Sequence, residues 1–399
     1  MKDIILISTF GTVTTENNSR VLSIAKSLRD DFNIVCISTD FDHTKKAYKD
    51  YMPENYLGIS CKYIHVPAYK SNLSFRRLFS HLMFAVRLKK FLKKMNGKPE
   101  AVYCAMPTST SAYVAGCYCK REKIKFVIDV IDLWPDSLVP VFGFWGKVLN
   151  FFLFPWKMIT TKSYKMADII LGESVKYADT AAMYNKKAIE MPIYLGIDME
   201  YVKEQIASSK VDVVKSDDEL WIAYGGSLGN SYDFKTLIKN VALLNENYKY
   251  KLFFIGDGIN RKYVEDLLKK YSVNSKIIGF VQYNDYLKYL SLCDIAINIF
   301  KWDTKVIHSY KFNDYVGTGC FILNSLVGET AEMIDKYKVG LNFDFSGNDL
   351  FEKLKNVFNN WSEYSKWRNN NALLIADCLN KKNIYSRLPV LIKNNLGND

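Results

Sequence analysis

HSYKFNDYVGTG, residues 308–319, decides how this chain is read. It follows an apolar run, DIAINIF (294–300), across a short polar loop, and precedes a second apolar run, CFILNS (320–325). Strand, loop, short helix, strand is how an open parallel α/β sheet presents groups at the carboxyl ends of its strands, where ligands bind. One acid, Asp314, stands near one lysine, Lys311, and two glycines close the segment. The stretch predicts half of a ligand pocket.

Working outward, the second half of the chain repeats one pattern. LWIAYGGS, YKLFFIGDG, KIIGFV and VGLNFD read as strands, with helical spacing between them in FKTLIKNVALLNENY, RKYVEDLLKKYS, YNDYLKYLSLC and GETAEMIDKY. Gly225 and Gly226 end one strand, where a bare backbone can approach a diphosphate and aim amides at it. A plain βα turn explains that pair equally well. Gly256 and Gly258 end a second strand. Gly279 ends a third, before Phe280 and Val281, an apolar pair suited to a flat base. Each signal is weak; their agreement on one rim is stronger.

The first half alternates in the same way: DIILIST, FNIVCIST, CKYIHVPA, AVYCAM, KFVIDVID and ADIILGES as strands, with helices such as RVLSIAKSLRDD between them. Alternation of this kind predicts a doubly wound parallel sheet. The first loop lacks G-x-G-x-x-G, so nothing there points to a dinucleotide. The pattern breaks at Ile189, and the polar stretch 199–219 reads as a crossing. The expected organisation is a domain over 1–195, a second over 196–375, and a helical tail over 376–399 packing back on the first. Trp361, Trp367, Leu373 and Leu374 sit at helical spacing, placed to pack across both domains. At 399 residues, two cores are expected.

Composition narrows the function classes. The chain is 49% apolar with 9 prolines, which leaves little room for disorder. Its eight cysteines are scattered, and only Cys117 and Cys119 are close, so reduced thiols are expected rather than zinc or disulfides. No run reaches the ~18 apolar residues of a membrane span, and the N-terminus starts a strand rather than a signal peptide. Residues 1–195 hold 28 Lys/Arg against 17 Asp/Glu, a charge of +11, whereas 196–399 hold 26 against 25. One half therefore carries nearly the whole excess, which attracts nucleic acid or anionic lipid.

IYLGID, YGGSLG, FFIGDG, IIGFV with CDIAI, and YKFNDYVGTGCFILNS with GE, taken in that order, resemble the C-terminal domain of family 4 glycosyltransferases of the GT-B fold, nearest the bacterial capsule, O-antigen and exopolysaccharide enzymes. FVIDVIDLWPDS (126–137) resembles the matching N-terminal element, and the motifs span nearly all of the chain. The resemblance implies two Rossmann-like doubly wound domains facing a central cleft. It implies transfer of a sugar from a UDP- or GDP-sugar to an acceptor, with retention and without a metal or cofactor.

By position, Asp314 takes the place of the second acid of E-x₇-E, which holds the ribose hydroxyls; a carboxylate accepts from both hydroxyls of a diol. Lys311 falls where a cation meets the phosphates, with a solvated helix charge as the plainer reading. Phe280 and Val281 match the base-holding segment, Gly225 and Gly226 the phosphate turn, and Gly328 and Glu329 a loop near the donor. Two departures stand out. The first acid falls at Val306. The turn, followed by SLGNSYDF with no cation before Lys235, lacks the usual Arg and Lys, leaving Lys301, Lys305, Lys311 and helix N-termini as substitutes.

In the first half, relatives carry a histidine where this chain has Asp132, which becomes the candidate catalytic residue, as base or orienting group. A turn-capping Asp132 is the alternative. Gly11, Asn18, Arg20 and Glu173 align with the acceptor side of the cleft, and Glu16 and Asn17 lie among them. Two segments suit a bilayer interface: 74–98, basic and amphipathic, and 141–158, aromatic. Core packing of part of each is the plainer reading. A lipid-linked saccharide acceptor at the inner face of the cell membrane would use both, with Arg76 and Arg77 meeting an acceptor diphosphate. Nucleic acid is not expected as a partner. The competing readings are a nucleotide-sugar epimerase, disfavoured by only four histidines, and a non-catalytic GT-B protein that binds membrane or nucleic acid.

Overall fold

The computed structural model describes residues 1–14, 19–71, 74–95, 97–137, 151–304, 306–346 and 348–396. The chain forms two compact units, one of residues up to Tyr194 together with Lys382 onward, the other Leu195–Lys381.

The first unit holds β1 (Asp3–Ile7), β2 (Asn33–Thr39), the short β3 (Phe41–Asp42), β4 (Ala47–Tyr48) and β5 (Asn55–Tyr56), then β6 (Ile59–Ile64), β7 (Ala101–Ala105), β8 (Lys125–Val130), β9 (Ile169–Gly172) and β10 (Ile189–Pro192). The main sheet runs β10-β9-β8-β7-β1-β2-β6-β5, parallel except for β5, and β3 pairs with β4 separately. From β1 the chain winds one way through β2 and β6, then the other way through β7 to β10. The topological switch, where open α/β sheets bind ligands, lies between β1 and β7.

The central strands β1, β7, β8 and β9 are apolar over most of their length because both faces are covered. Side chains alternate between the faces. Ile5, Ile7, Val102, Cys104, Phe126 and Ile128 pack with Phe84 and Leu88 of the helix Phe75–Lys93 and with Ala112 and Ala115 of the helix Ser109–Glu122. Ile4, Leu6, Tyr103 and Val127 pack on the other side with Leu22, Ile24 and Leu28 of the helix Arg20–Leu28. Ile384, Leu388 and Ile392 of the C-terminal helix Lys381–Asn395 join that second layer. Ser19, Ser74 and Ser174 each accept a hydrogen bond from the backbone N–H three residues on and so start their helices.

Boundaries differ from the sequence expectation in three places. Ile189–Pro192 pairs in parallel with β9, so the sheet runs on past the expected break at Ile189. Within the polar stretch after it, Met199–Ser208 is a helix capped by Asp198. Residues 376–381 stay with the second unit, and the chain joins the first from Lys382. Six cysteines are buried, but Cys117 is exposed and Cys378 is partly so.

The second unit holds β11 (Leu220–Gly225), β12 (Tyr250–Ile255), β13 (Ser275–Gly279), β14 (Ile295–Asn298), β15 (Phe321–Asn324) and β16 (Gly340–Asn342). All are parallel, in the order β13-β12-β11-β14-β15-β16, so the switch lies between β11 and β14. Trp361, Tyr364 and Trp367 surround Phe321 of β15 within this unit. Strand ends rich in glycine on one side of the switch thus meet the segment 308–319 on the other.

Candidate functional site

The site begins at the end of β11. Gly226 has φ 112°, in the region that disfavours side chains. A Cβ there would stand 2.6 Å from Lys311 Cε, and one on Gly256 would stand 2.1 Å from the Gly226 carbonyl oxygen. Gly226 N–H donates to the Ile255 carbonyl at 2.8 Å, and Gly225 N–H donates to the Tyr315 hydroxyl at 3.0 Å. The turn is therefore pinned from both sides. Gly258 likewise lies against the Leu228 backbone, 2.7 Å from its carbonyl oxygen for an added Cβ. Gly256 and Gly258, expected to touch the ligand, form the surface on which the first turn rests.

The helix Tyr310–Gly317 carries Lys311, Asp314 and Tyr315 at i, i+3 and i+4, one face of a helix. Lys311 Nζ donates to the Tyr224 hydroxyl and lies 4.0 and 3.5 Å from the ring centroids of Tyr224 and Tyr232. Burial pushes the Lys311 amine well below the usual lysine range, and Asp314 pulls it part of the way back. A buried cation held by ring faces still lacks the full charge partner it would have with an anion.

Asp314 accepts a hydrogen bond from the Tyr283 hydroxyl at 2.8 Å. Burial pushes its carboxyl up to about 6, against the pull of the Tyr283 and Tyr286 hydroxyls and of Lys311. Tyr283 opens the helix Tyr283–Leu292 directly after Phe280 and Val281, so the bond ties the acid to the segment read as the base site. Phe280 is 79% exposed there, beyond Gly279 at φ 81°. Tyr201, Tyr283 and Tyr286 stack in sequence with centroid spacings of 6.4 and 6.0 Å. The sequence reading missed this tyrosine set; the i, i+3 spacing of Tyr283 and Tyr286 was its only signal.

Val306, where an acid was expected, is half-buried and apolar. Beyond it, His308 Nε2 shares a 2.9 Å hydrogen bond with Asn313 Oδ1. Burial lowers the imidazole's pKa, offset by the Asn313 bond and the charge of Glu329. Glu329 lies in the first turn of the helix Glu329–Tyr337, entered through Gly328 at φ 80°. His308, Gly328 and Glu329 are thereby brought beside the helix that bears Lys311. Asn298, Asn324 and Asn342 stand in register and hydrogen-bond across three strand ends at 2.8 Å each, another feature the sequence reading passed over. Lys235 and Lys301 are exposed and line a surface pocket with Asn230 and Tyr263. Lys305 lies outside the described residues.

The first-half candidates do not gather in the same way. Asp132, just past β8, accepts from Leu133 N–H at 2.7 Å and from Ser137 Oγ at 2.8 Å through one carboxylate oxygen, the turn-capping arrangement. Burial raises its pKa against those bonds. Arg20, expected on the acceptor side, is buried. Its Nε and Nη2 donate to the two oxygens of Asp129 at 2.7 Å each, and its Nη1 reaches the Ile193 carbonyl at 2.5 Å. Tyr103 donates to the same carboxylate. This corrects the Arg20 reading: a fully buried carboxylate needs a bidentate partner, and Arg20 is that partner. Gly11 has room for a Cβ at ordinary contact distances and no left-handed φ. Glu173 is buried at the end of β9, its N–H donating to the Val130 carbonyl at 3.0 Å. Asn18, Glu16 and Asn17 lie outside the described residues, as does 141–150 of the aromatic segment.

Two doubly wound units, one with a glycine turn facing a lysine and an acid across its switch point, are the GT-B fold. Residues 205–303 match the family model described as Glycosyl transferases group 1. Protein CapJ of Staphylococcus aureus is 24% identical over 218 residues, which are 53% of this chain and 50% of CapJ. The chain thus matches about half the length of that curated relative. Among solved structures, HepE of Anabaena in complex with UDP aligns with TM-score 0.68 at 12% identity, covering 99% of this chain and 100% of HepE. Sucrose-phosphate synthase of Thermosynechococcus elongatus aligns with TM-score 0.70 at 13% identity, covering 99% of each chain.

Proposed function

We propose that the protein is a glycosyltransferase that takes its sugar from a UDP-sugar. One observation carries this: a single helix face holds Lys311 against the Gly225–Gly226 turn and Asp314 against Tyr283, which follows the segment of Phe280 and Val281. A diphosphate fits the first place and a ribose with its base the second. The group 1 match over 205–303 covers the Gly225–Gly226 turn and the Phe280–Val281 segment and ends before Lys311 and Asp314, and HepE was crystallised with UDP. Lys311 takes the part of the missing Arg and Lys, by a charge-assisted bond to the leaving diphosphate. Gly328, Glu329 and His308 border the sugar. Asp132 orients the acceptor hydroxyl or takes its proton, while its other oxygen holds the turn. Transfer goes with retention and needs no metal.

The acceptor is a saccharide on a lipid, in the making of a bacterial surface polysaccharide, at the inner face of the membrane. Two features support the membrane part. Phe75, Leu78, Phe79, Leu82 and Val86 are exposed at helical spacing along Phe75–Lys93, beside Arg76, Lys89, Lys90 and Lys93. Phe151, Phe152, Phe154 and Met158 are exposed as well. Basic and aromatic groups together suit an interfacial helix. Among the described residues no helix is long and apolar enough to cross a membrane.

A panel of UDP-, GDP- and dTDP-sugars tested by thermal shift decides the donor. UDP-sugars should raise the melting temperature, and no shift from any of them at millimolar concentration ends the transferase reading. Release of UDP only when a lipid-linked acceptor is supplied separates transfer from epimerisation.

A further inference from the structure

Two tyrosines flank the glycine loop 225–231: Tyr224 in β11, and Tyr232 before the helix Phe234–Ala242. Their ring centroids stand 5.8 Å apart at 71°, and Phe300, just past β14, lies 4.9 Å from Tyr232. The Lys311 ammonium sits among these rings. Its Nζ is 4.0 Å from the Tyr224 centroid, 3.5 Å from that of Tyr232 and 5.9 Å from that of Phe300. The side chain comes from the helix Tyr310–Gly317 and passes so close to Gly226 that a Cβ there would stand 2.6 Å from Cε. Tyr224 donates its hydroxyl hydrogen to the Ser227 carbonyl at 2.8 Å, which leaves its oxygen to accept from Nζ. One tyrosine thereby ties the middle of the loop to the lysine. At the far end of the loop, Lys301 N–H donates to the Ser231 carbonyl at 2.9 Å.

The amides of the loop alternate. Gly226 and Leu228 N–H donate to the Ile255 and Asp257 carbonyls at 2.8 and 2.9 Å, whereas the N–H groups of Ser227 and Gly229 have no acceptor among the described residues. Two amides are left for a ligand, with a lysine behind them, the parts of an anion receptor. The loop itself, GGSLGNS, carries no cation. Lys311 is 8% exposed and makes no ion pair among the described residues. Burial works against its charge, and Asp314 acts on it only from a distance. Ring faces attract a cation through their quadrupole and bear no net charge. An aspartate in their place would compete with an incoming anion for the same ammonium. The rings therefore fix the amine in position without neutralising it.

We propose that Tyr224 and Tyr232 are positioning residues that clamp the Lys311 ammonium beside the glycine turn, so that one lysine both closes the loop and meets the diphosphate held on it. The word diphosphate rests on the transferase reading; the clamp does not. Tyr232 supplies a ring face. Tyr224 supplies a second ring and the hydroxyl that passes the hold on to Ser227. A loop without a cation thus receives one from a helix on the other side of the switch point, and the two tyrosines decide where its charge stands.

The test is a double-mutant cycle between Tyr232 and Lys311 on the full chain, with two readouts. The first needs no ligand: amide hydrogen exchange over 225–231. Tyr232→Leu and Lys311→Met should each speed exchange at Gly226 and Leu228 about tenfold, and the double variant should exceed either by less than about twofold. The second is UDP affinity by calorimetry. Tyr232→Leu should weaken it about tenfold alone, and less than about twofold when Lys311→Met is already present. Tyr232→Phe, which keeps the ring, should recover most of both losses. Tyr224→Phe, which removes the acceptor of the Lys311 bond, should speed loop exchange in the wild-type background and not beside Lys311→Met. A tyrosine that merely packs the loop costs the same with and without the lysine, and that result overturns the clamp. So does a Tyr232→Leu variant with unchanged exchange and unchanged affinity. If UDP fails to bind the wild-type chain while the exchange cycle holds, the nucleotide reading falls and the clamp stands.

Discussion

The two sheets share a topology and differ at their carboxyl edges. Each winds outward from a central strand and reverses, which leaves a crevice beside β1 in one unit and beside β11 in the other. Beside β11 the backbone forms the receptor: Gly226 in a left-handed turn, Gly256 pressed against it, and one buried lysine behind. Beside β1 the glycine is ordinary, and the cations are side chains stacked on aromatic rings, Arg77 above all. A backbone receptor suits a ligand part that never changes, such as a diphosphate. Side chains suit a part that varies between relatives. On the transferase reading, the same fold separates a donor edge from an edge free to specialise.

The largest expected effect comes from the buried pair under the β1 edge. Arg20→Met should leave Asp129 charged and unpaired, costing about 3–5 kcal/mol in the first unit. Hydrogen exchange resolved by segment should show the loss in residues 1–194, with UDP binding by the second unit retained. If nucleotide affinity fell and stability did not, Arg20 would be a ligand contact after all. Next, Lys311→Met keeps the packed stem but removes the charge. UDP affinity should fall about 10- to 100-fold, from the loss of a charge-assisted bond of about 1.5–3 kcal/mol. An unchanged dissociation constant would remove Lys311 from the phosphate site.

Gly226→Ala should destabilise by about 1–3 kcal/mol through its φ and the Lys311 contact, whereas Gly11→Ala should stay within about 0.5 kcal/mol. Equal effects in thermal melts would erase the contrast between the two edges. Smaller still is a pH effect. The Asp314 carboxyl, pushed up to about 6, is protonated in the folded chain over a range where an unfolded carboxyl has already ionised. Its stabilising contribution is therefore present at low pH and lost as pH rises from about 4 to about 6. Ribose binding needs the carboxylate as acceptor, so UDP affinity should rise as pH climbs through about 6 and then level off. Asp314→Asn should flatten that profile in calorimetry; a persisting step would assign it to another group.

Asp132→Asn distinguishes the two readings of that residue. A fall in kcat with the melting temperature held marks a catalytic or orienting role. A fall in melting temperature alone marks the turn.

Much of this architecture is legible along the chain because parallel strands covered on both faces are continuous apolar runs, and glycines mark their ends. The strand at Ile189–Pro192 was missed because IEMP is short and half-exposed, and pairing with β9 rather than propensity makes it a strand. Arg20 was misplaced for a related reason. A cation after a polar loop looks solvent-facing until its partner, 109 residues away, is known.

By itself the sequence determined the alternation of strands and helices, two doubly wound units, the glycine turn at 225–226 and the pairing of Lys311 with Asp314 on one helical face. These rest on local periodicity and on spacings within a turn or two. Only the tertiary structure decided that Gly256 supports Gly226, that Asp314 is tied to Tyr283, that Arg20 belongs to Asp129, and that Arg77 packs on Phe10 and Trp134. Burial and charge at those places depend on contacts between distant segments, and the desolvation that sets their chemistry exists only once the chain has closed around them.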